Sequence, residues 1–147
     1  MAKVLKQEEV YNNFGQGVNC CMQVFGAVAE DIGLSEAEAK RIGAGFGSGM
    51  FLSSTCGCVT GAMMAIGYKY GNWEPGQTEQ KALFNSKKAA FLEAFRARFG
   101  NTQCVSLLDD LDPGIPEQRA QIEEKGLMRD FCASAVCATV EMLKDIL

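Results

Sequence analysis

The uncharged stretch at residues 43–68 limits the possible folds of this chain more than any other feature. No charged residue falls between Arg41 and Lys69, so this stretch must be either buried in protein or embedded in a membrane. Its first half carries four alternating glycines and four hydroxyl side chains, which would make a poor lipid-facing helix. Only its second half has helical spacing. We therefore expect a buried glycine-rich loop that leads into a buried helix, and no membrane span.

The start of that second half carries the most polarised chemistry in the sequence. Ser53, Ser54 or Thr55 can cap a helix that begins near Cys56. A thiol in the first turn of a helix lies where the peptide dipole favours the thiolate. Farther along, Gly57, Gly61 and Ala65 form a ridge of small residues, which predicts the close approach of another helix.

Helical periodicity accounts for most of the remaining chain. Apolar residues recur at three- and four-residue spacing over residues 18–32, 78–99 and 129–146. Ser35 and Glu38 form a capping box at the start of a further helix. No alternating strand pattern of useful length is present. The sequence predicts an all-α, compact single domain over residues 1–147, with about five or six helices around one core.

The cysteine content is high for a chain of this length, and histidine is absent. There are seven cysteines in 147 residues, and the N-terminus is polar, without a charged and then apolar leader. This combination predicts a reducing, cytoplasmic compartment and thiol chemistry or metal binding rather than a disulfide framework. The lack of histidine excludes a Cys-His catalytic pair, mixed Cys/His zinc sites and a haem attachment motif.

The overall charge gives no indication of a nucleic-acid partner. The net charge is −4, and no dense basic run is present. We therefore expect neither nucleic-acid nor membrane partners. The partner would be an unknown redox protein or small molecule, and the sequence leaves open the oligomeric state and whether the protein is an enzyme.

Four segments each carry a cysteine near a predicted helix end or loop, namely Cys20, Cys56, Cys104 and Cys132. Helix ends can meet at one end of a bundle, so these thiols could share one site. Any single buried cysteine is more often an inert packing residue. No Cys-x-x-Cys pair supports zinc, an iron–sulfur cluster or a thioredoxin-type motif. Lys88 has two interpretations. In one, its aliphatic stem lies along the apolar side of its helix and its ammonium is in water. In the other, its ammonium lies near the thiols and lowers a cysteine pKa.

The order of the cysteine and glycine blocks resembles the C_GCAxxG_C_C family of redox-active helical proteins. The matching pieces are Asn19-Cys20, the run GAGFGSGM, Thr55 to Ala62, Cys104-x-x-Leu107-Leu108 and the final Cys132 helix. The resemblance covers about residues 14–143. It implies that Cys20, Cys56, Cys104 and Cys132 are the signature cysteines, with Cys58 as the alternative to Cys56 in the central block.

The four signature cysteines allow three alternative functions. In the first, Cys56 is the reactive thiolate, and Cys20, Cys104 or Cys132 resolves it as a disulfide. In the second, the same four cysteines are ligands of zinc or of an iron–sulfur cluster. In the third, the thiols only pack within a non-catalytic helical module.

Overall fold

The computed structural model describes residues 3–147, and within this range the chain is helical and contains no strand. One isolated antiparallel pairing joins Thr55 to Gln103. The helices in chain order are α1 Gln7–Gly15, α2 Cys20–Val28, α3 Glu36–Gly43, α4 Gly57–Tyr70, α5 Thr78–Phe99, α6 Cys104–Leu107, α7 Pro116–Glu124 and α8 Ala133–Ile146. Short 3₁₀ turns at Glu30–Ile32 and Ala44–Phe46, and π turns at Gly49–Ser53 and Met128–Cys132, complete the helical structure.

The all-α prediction is confirmed, but the predicted count of five or six helices is wrong. Eight α-helices lie within residues 3–147. The difference comes from the short elements: α6 has four residues, and α1 and α7 have nine each. A single turn is too short to display a period of 3.6 residues, so the sequence after Cys104 predicts only a short helix or turn there.

The contact between α2 and α4 organises the core, and it depends on glycine. A β-carbon added at Gly61 would lie 2.9 Å from the Cys21 carbonyl oxygen and 3.2 Å from the Val24 β-carbon. One added at Gly57 would lie 2.9 Å from the Cys20 β-carbon. Ala65 completes this face and is fully buried. The predicted ridge of small residues is therefore present, and it lets the two helix backbones approach closely.

Side-chain hydrogen bonds fix the start of α2. The Asn19 side chain accepts a hydrogen bond from the Met22 amide at 3.0 Å and caps the helix. Its amide nitrogen also donates to the Ala44 carbonyl at 3.0 Å, which ties α2 to the glycine segment. The buried Gln23 donates to the Val10 carbonyl at 3.2 Å and joins α2 to α1. The first residue of α2, Cys20, is thus held in place by its neighbours.

Helices α5 and α8 pack on the same core as α2 and α4. Helix α5 ends at Gly100, whose φ of 80° is left-handed, as the glycine in the sequence predicts. Phe91 and Phe95 on α5 are fully buried, and Phe99 continues the row of rings to Phe131. This aromatic row connects the middle of the core to the segment that carries Cys132.

The glycine segment is not the uniformly buried loop that the sequence predicts. Gly43, Gly47 and Gly49 are buried, but the π turn that follows has an exposed apolar tip at Met50, Phe51 and Leu52. Left-handed φ angles occur at Ser48, Gly49, Met50, Phe51 and Ser53. Such angles are costly for residues with a side chain, so the surrounding contacts must hold this turn in its shape.

No helix within residues 3–147 combines the length and apolar character needed to cross a membrane. The uncharged stretch at residues 43–68 is divided between short turns and the buried helix α4.

The glycine contact yields a stability prediction. Gly61→Ala should lower the free energy of unfolding by about 1–3 kcal/mol, because the new methyl group collides with backbone and β-carbon atoms of α2. Gly67→Ala on the same helix is the matched control. Its β-carbon would meet only Phe84 ring atoms at 3.9 Å, so it should be neutral or stabilising by up to about 1 kcal/mol. Urea denaturation under reducing conditions measures both, and equal effects of the two changes would refute this account of the interface.

Candidate functional site

The four cysteines singled out from the sequence come together around one small cavity. Cys20, Cys56, Cys104 and Cys132 all line an inner cavity of about 40 Å³. Ser48 and Gly49 of the glycine segment and Met128 and Phe131 before α8 also line it. Each cysteine arrives from a different segment, so their convergence is a product of the tertiary fold.

The close packing of α2 on α4 brings the first two thiols together. Cys20 is the first residue of α2, and Cys56 is the residue that precedes α4. Because Gly57 has no side chain, the β-carbon of Cys20 can lie against the start of α4. Both cysteines therefore lie at helix N-termini, where the peptide dipoles favour negative charge.

Two backbone hydrogen bonds hold Cys56 beside the third thiol. The Cys56 amide donates to the Thr102 carbonyl at 2.8 Å, and the Cys104 amide donates to the Ser54 carbonyl at 2.7 Å. These bonds flank the isolated pairing of Thr55 with Gln103. They join two segments that are almost fifty residues apart and set the spacing of Cys56 and Cys104.

The fourth thiol enters from the other side of the core. Cys132 ends the π turn that leads into α8. Its neighbour Phe131 packs edge-on against Phe99, with ring centroids 5.6 Å apart. A π turn in place of a regular helical turn is frequent at functional sites, and here it places both Phe131 and Cys132 on the cavity wall.

The environment of Cys56 favours its thiolate. A thiol hydrogen bond from Cys58 is the main cause that lowers the pKa of Cys56, and the backbone amides of Cys58 and Val59 act in the same direction. Burial opposes them, since the Cys56 side chain is only 9% exposed. No fully formed side-chain cap bond is present at this helix start.

Two other cavity thiols, those of Cys104 and Cys132, are held protonated. Burial raises the pKa of Cys104 to about 12, and the neighbouring sulfurs of Cys56 and Cys20 add to the effect. Burial is also the main cause that raises the pKa of Cys132 well above its usual range. Negative charge in the cavity is therefore concentrated on one sulfur at a time, since each thiolate disfavours the next.

Cys58 has a more direct role in the thiol site than the sequence indicated. It is fully buried, and hydrogen bonds from its thiol to Cys20 and Cys56 raise its own pKa well above the usual range. Cys58 is therefore a protonated hydrogen-bond donor beside the sulfurs of Cys20 and Cys56. Its position two residues after Cys56, inside the first turn of α4, was the only sequence signal for this role.

The two remaining cysteines lie outside the cavity. Cys21 is fully buried, its sulfur lies 3.6 Å from the Met64 sulfur, and burial raises its pKa to about 11. The Cys137 thiol donates to the Leu5 carbonyl at 3.4 Å. Lys88 also lies elsewhere, with its ammonium 4.2 Å from the centre of the Phe84 ring. Neither Lys88 nor any other lysine lines the inner cavity.

The four thiols do not form a ready-made metal site. Among residues 3–147, no group of three or more cysteine, aspartate or glutamate side chains is close enough to hold a metal ion as placed. Zinc–sulfur bonds are about 2.3 Å long and require converging sulfurs.

Helical architecture and a cavity lined by four cysteines define the class of this protein. The family model C_GCAxxG_C_C, described as a putative redox-active protein, matches residues 18–146. The chain belongs to this family, which confirms the resemblance seen in the sequence. No curated protein and no solved structure gives a significant match.

The buried thiols predict a loss of stability at alkaline pH. Cys21, Cys104 and Cys132 have raised pKa values in the folded protein, so they keep protons that the unfolded chain releases near its ordinary pKa of 9.0. The unfolded state then binds fewer protons, and the free energy of unfolding falls by up to about 1.4 kcal/mol per pH unit per thiol. The lowered pKa of Cys56 offsets part of this loss.

Urea denaturation under reductant at about pH 8 and about pH 9.5 measures this effect. Cys21→Ala removes one of the retained protons without altering the cavity lining, so it should flatten the pH dependence. A free energy of unfolding that stays constant or rises over this interval would contradict the assignment of protonated buried thiols.

Proposed function

We propose that this protein is a thiol–disulfide redox protein in which Cys56 is the attacking thiolate. The observation that carries the proposal is the contrast within one cavity. The pKa of Cys56 is lowered by hydrogen bonding, whereas those of Cys104 and Cys132 are raised by burial. A nucleophilic thiolate beside protonated thiols is the arrangement that disulfide exchange requires.

The exchange would proceed in two balanced steps. The Cys56 thiolate attacks one sulfur of a substrate disulfide, the substrate S–S bond breaks, and the other half leaves as a thiolate. A second cysteine then loses its proton and attacks the Cys56 sulfur, and the substrate half that was bound to Cys56 leaves as a thiolate. Two electrons pass from the two cysteines to the substrate, and the protein is left with an internal disulfide.

We assign the second cysteine to Cys20. The Cys58 thiol hydrogen-bonds to both Cys20 and Cys56, so these two sulfurs share one neighbour. Cys104 and Cys132 would attack slowly, because a raised pKa leaves little thiolate at neutral pH. Cys58 itself has the role of a donor that stabilises charge on Cys56.

A metal site with the same four ligands is the second candidate, and the observation in its favour is their convergence on one cavity. Binding zinc or an iron–sulfur cluster would require the sulfurs to move closer together. Anaerobic purification followed by metal analysis tests this candidate directly. A cytoplasmic location and the single-domain organisation remain predictions from the sequence.

The role of Cys56 predicts a shifted pH profile of alkylation. The rate at which iodoacetamide modifies Cys56, followed by peptide mass spectrometry, should have its midpoint below that of free cysteine. Cys58→Ala removes the main hydrogen bond, so the midpoint should move up and the rate at pH 7 should fall about threefold to tenfold.

Cys137→Ala is the matched control, because this thiol lies outside the cavity and bonds to the Leu5 carbonyl. It should leave the Cys56 profile unchanged. A midpoint for Cys56 at or above the value for free cysteine would remove the basis for the redox proposal.

A further inference from the structure

A larger outer pocket adjoins the thiol cavity. Its volume is about 330 Å³, which is within the usual range for small-molecule sites. Cys20, Ser48, Pro113 and Met128 line both spaces, so the two are adjacent at these residues. Cys20 therefore lies at the junction, where a molecule in the outer pocket first meets a sulfur.

The lining of the outer pocket combines apolar surface with the polar side chains of Asn19, Ser48 and Ser53 and with one charged side chain. Phe14, Phe51, Pro113 and Met128 supply apolar surface, and Arg119 is the only charged residue in the lining. The Arg119 side chain is exposed and makes no ion pair or hydrogen bond within residues 3–147. A guanidinium at the edge of such a pocket is suited to bind a carboxylate.

An acidic group beside this pocket, Asp112, is already engaged in hydrogen bonds with two lining residues. The Asp112 carboxylate accepts hydrogen bonds from the Ser53 hydroxyl and from the Gly114 amide, the latter at 2.8 Å. These bonds hold the pKa of Asp112 below its usual value. Asp112 and Arg119 both influence Cys104, with opposite signs, but they do not form an ion pair with each other. Arg119 therefore remains available to a ligand.

We propose that the outer pocket binds a small anionic disulfide, with its apolar body against Phe14 and Phe51 and a carboxylate on Arg119. This inference rests on the redox function proposed above and specifies its substrate class. The disulfide bond lies at the junction beside Cys20. The Cys56 thiolate forms a bond to the inner sulfur of the substrate, which is the one nearer the thiol cavity, and the substrate S–S bond breaks. The outer half of the substrate leaves as a thiolate that takes a proton from water. Cys20 then displaces the inner half, giving two substrate thiols and one protein disulfide.

The experiment compares two aromatic disulfides that differ in charge. Dithiobis(nitrobenzoate) carries a carboxylate on each half, whereas dithiodipyridine is neutral. Each is mixed with the reduced protein, and the first turnover is followed by absorbance. Arg119→Gln should slow the anionic probe about fivefold and change the neutral probe less than twofold. Arg119→Lys should restore part of the preference, and added salt should slow only the anionic probe.

Arg96→Gln is the charge-matched control, because Arg96 is exposed on α5 and lines neither space. It should leave both rates unchanged. Equal slowing of the two probes by Arg119→Gln would overturn the anionic assignment, as would an unchanged rate with the anionic probe.

A binding measurement separates this inference from the redox function. Nitrobenzoate has the carboxylate and the ring but no sulfur, and its binding to the wild type and to Arg119→Gln can be followed by NMR. Binding that depends on Arg119 supports the pocket assignment even if neither disulfide reacts, and in that case only the redox function fails. If both disulfides react at equal rates and nitrobenzoate does not bind, the pocket assignment is wrong and the redox function is still supported.

Discussion

The close contact of α2 with α4 at Gly57 and Gly61 is the constraint on which the rest of the site depends. Two backbones can approach this closely only where no β-carbon intervenes. The contact sets two helix N-termini, and hence Cys20 and Cys56, side by side. Helix packing therefore sets the positions of these two thiols, and hydrogen bonds adjust the thiol pKa values.

Burial and hydrogen bonding then divide the thiols into different states. Desolvation raises the pKa of Cys104 and Cys132, and only a set of donors aimed at one sulfur can oppose it. Cys58 and the amides at the start of α4 supply those donors for Cys56. The same low-polarity surroundings that keep neighbouring thiols protonated therefore increase the effect of each hydrogen bond on Cys56.

The sequence predicted those features that depend on local pattern. Period, caps and glycine stops gave the all-α class, the Ser35 capping box and the end of α5 at Gly100. The shared site of the four cysteines followed from helix ends and from the family resemblance. The pairing of Thr55 with Gln103 and the left-handed turn near Met50 could not be predicted, because both depend on distant backbone contacts. Arg119 lies on a polar helix, and its position in the lining of the outer pocket is visible only in the folded structure.

The central claim is that the cavity thiols form an internal disulfide during a redox cycle. The most direct test is a redox titration of anaerobically purified protein, with disulfides mapped by mass spectrometry and metal measured in the same sample. The account predicts metal-free protein in which two thiols are lost in one transition, with Cys56 joined to Cys20. Seven free thiols over the whole range, or near-stoichiometric iron or zinc that protects the cavity cysteines, would contradict it.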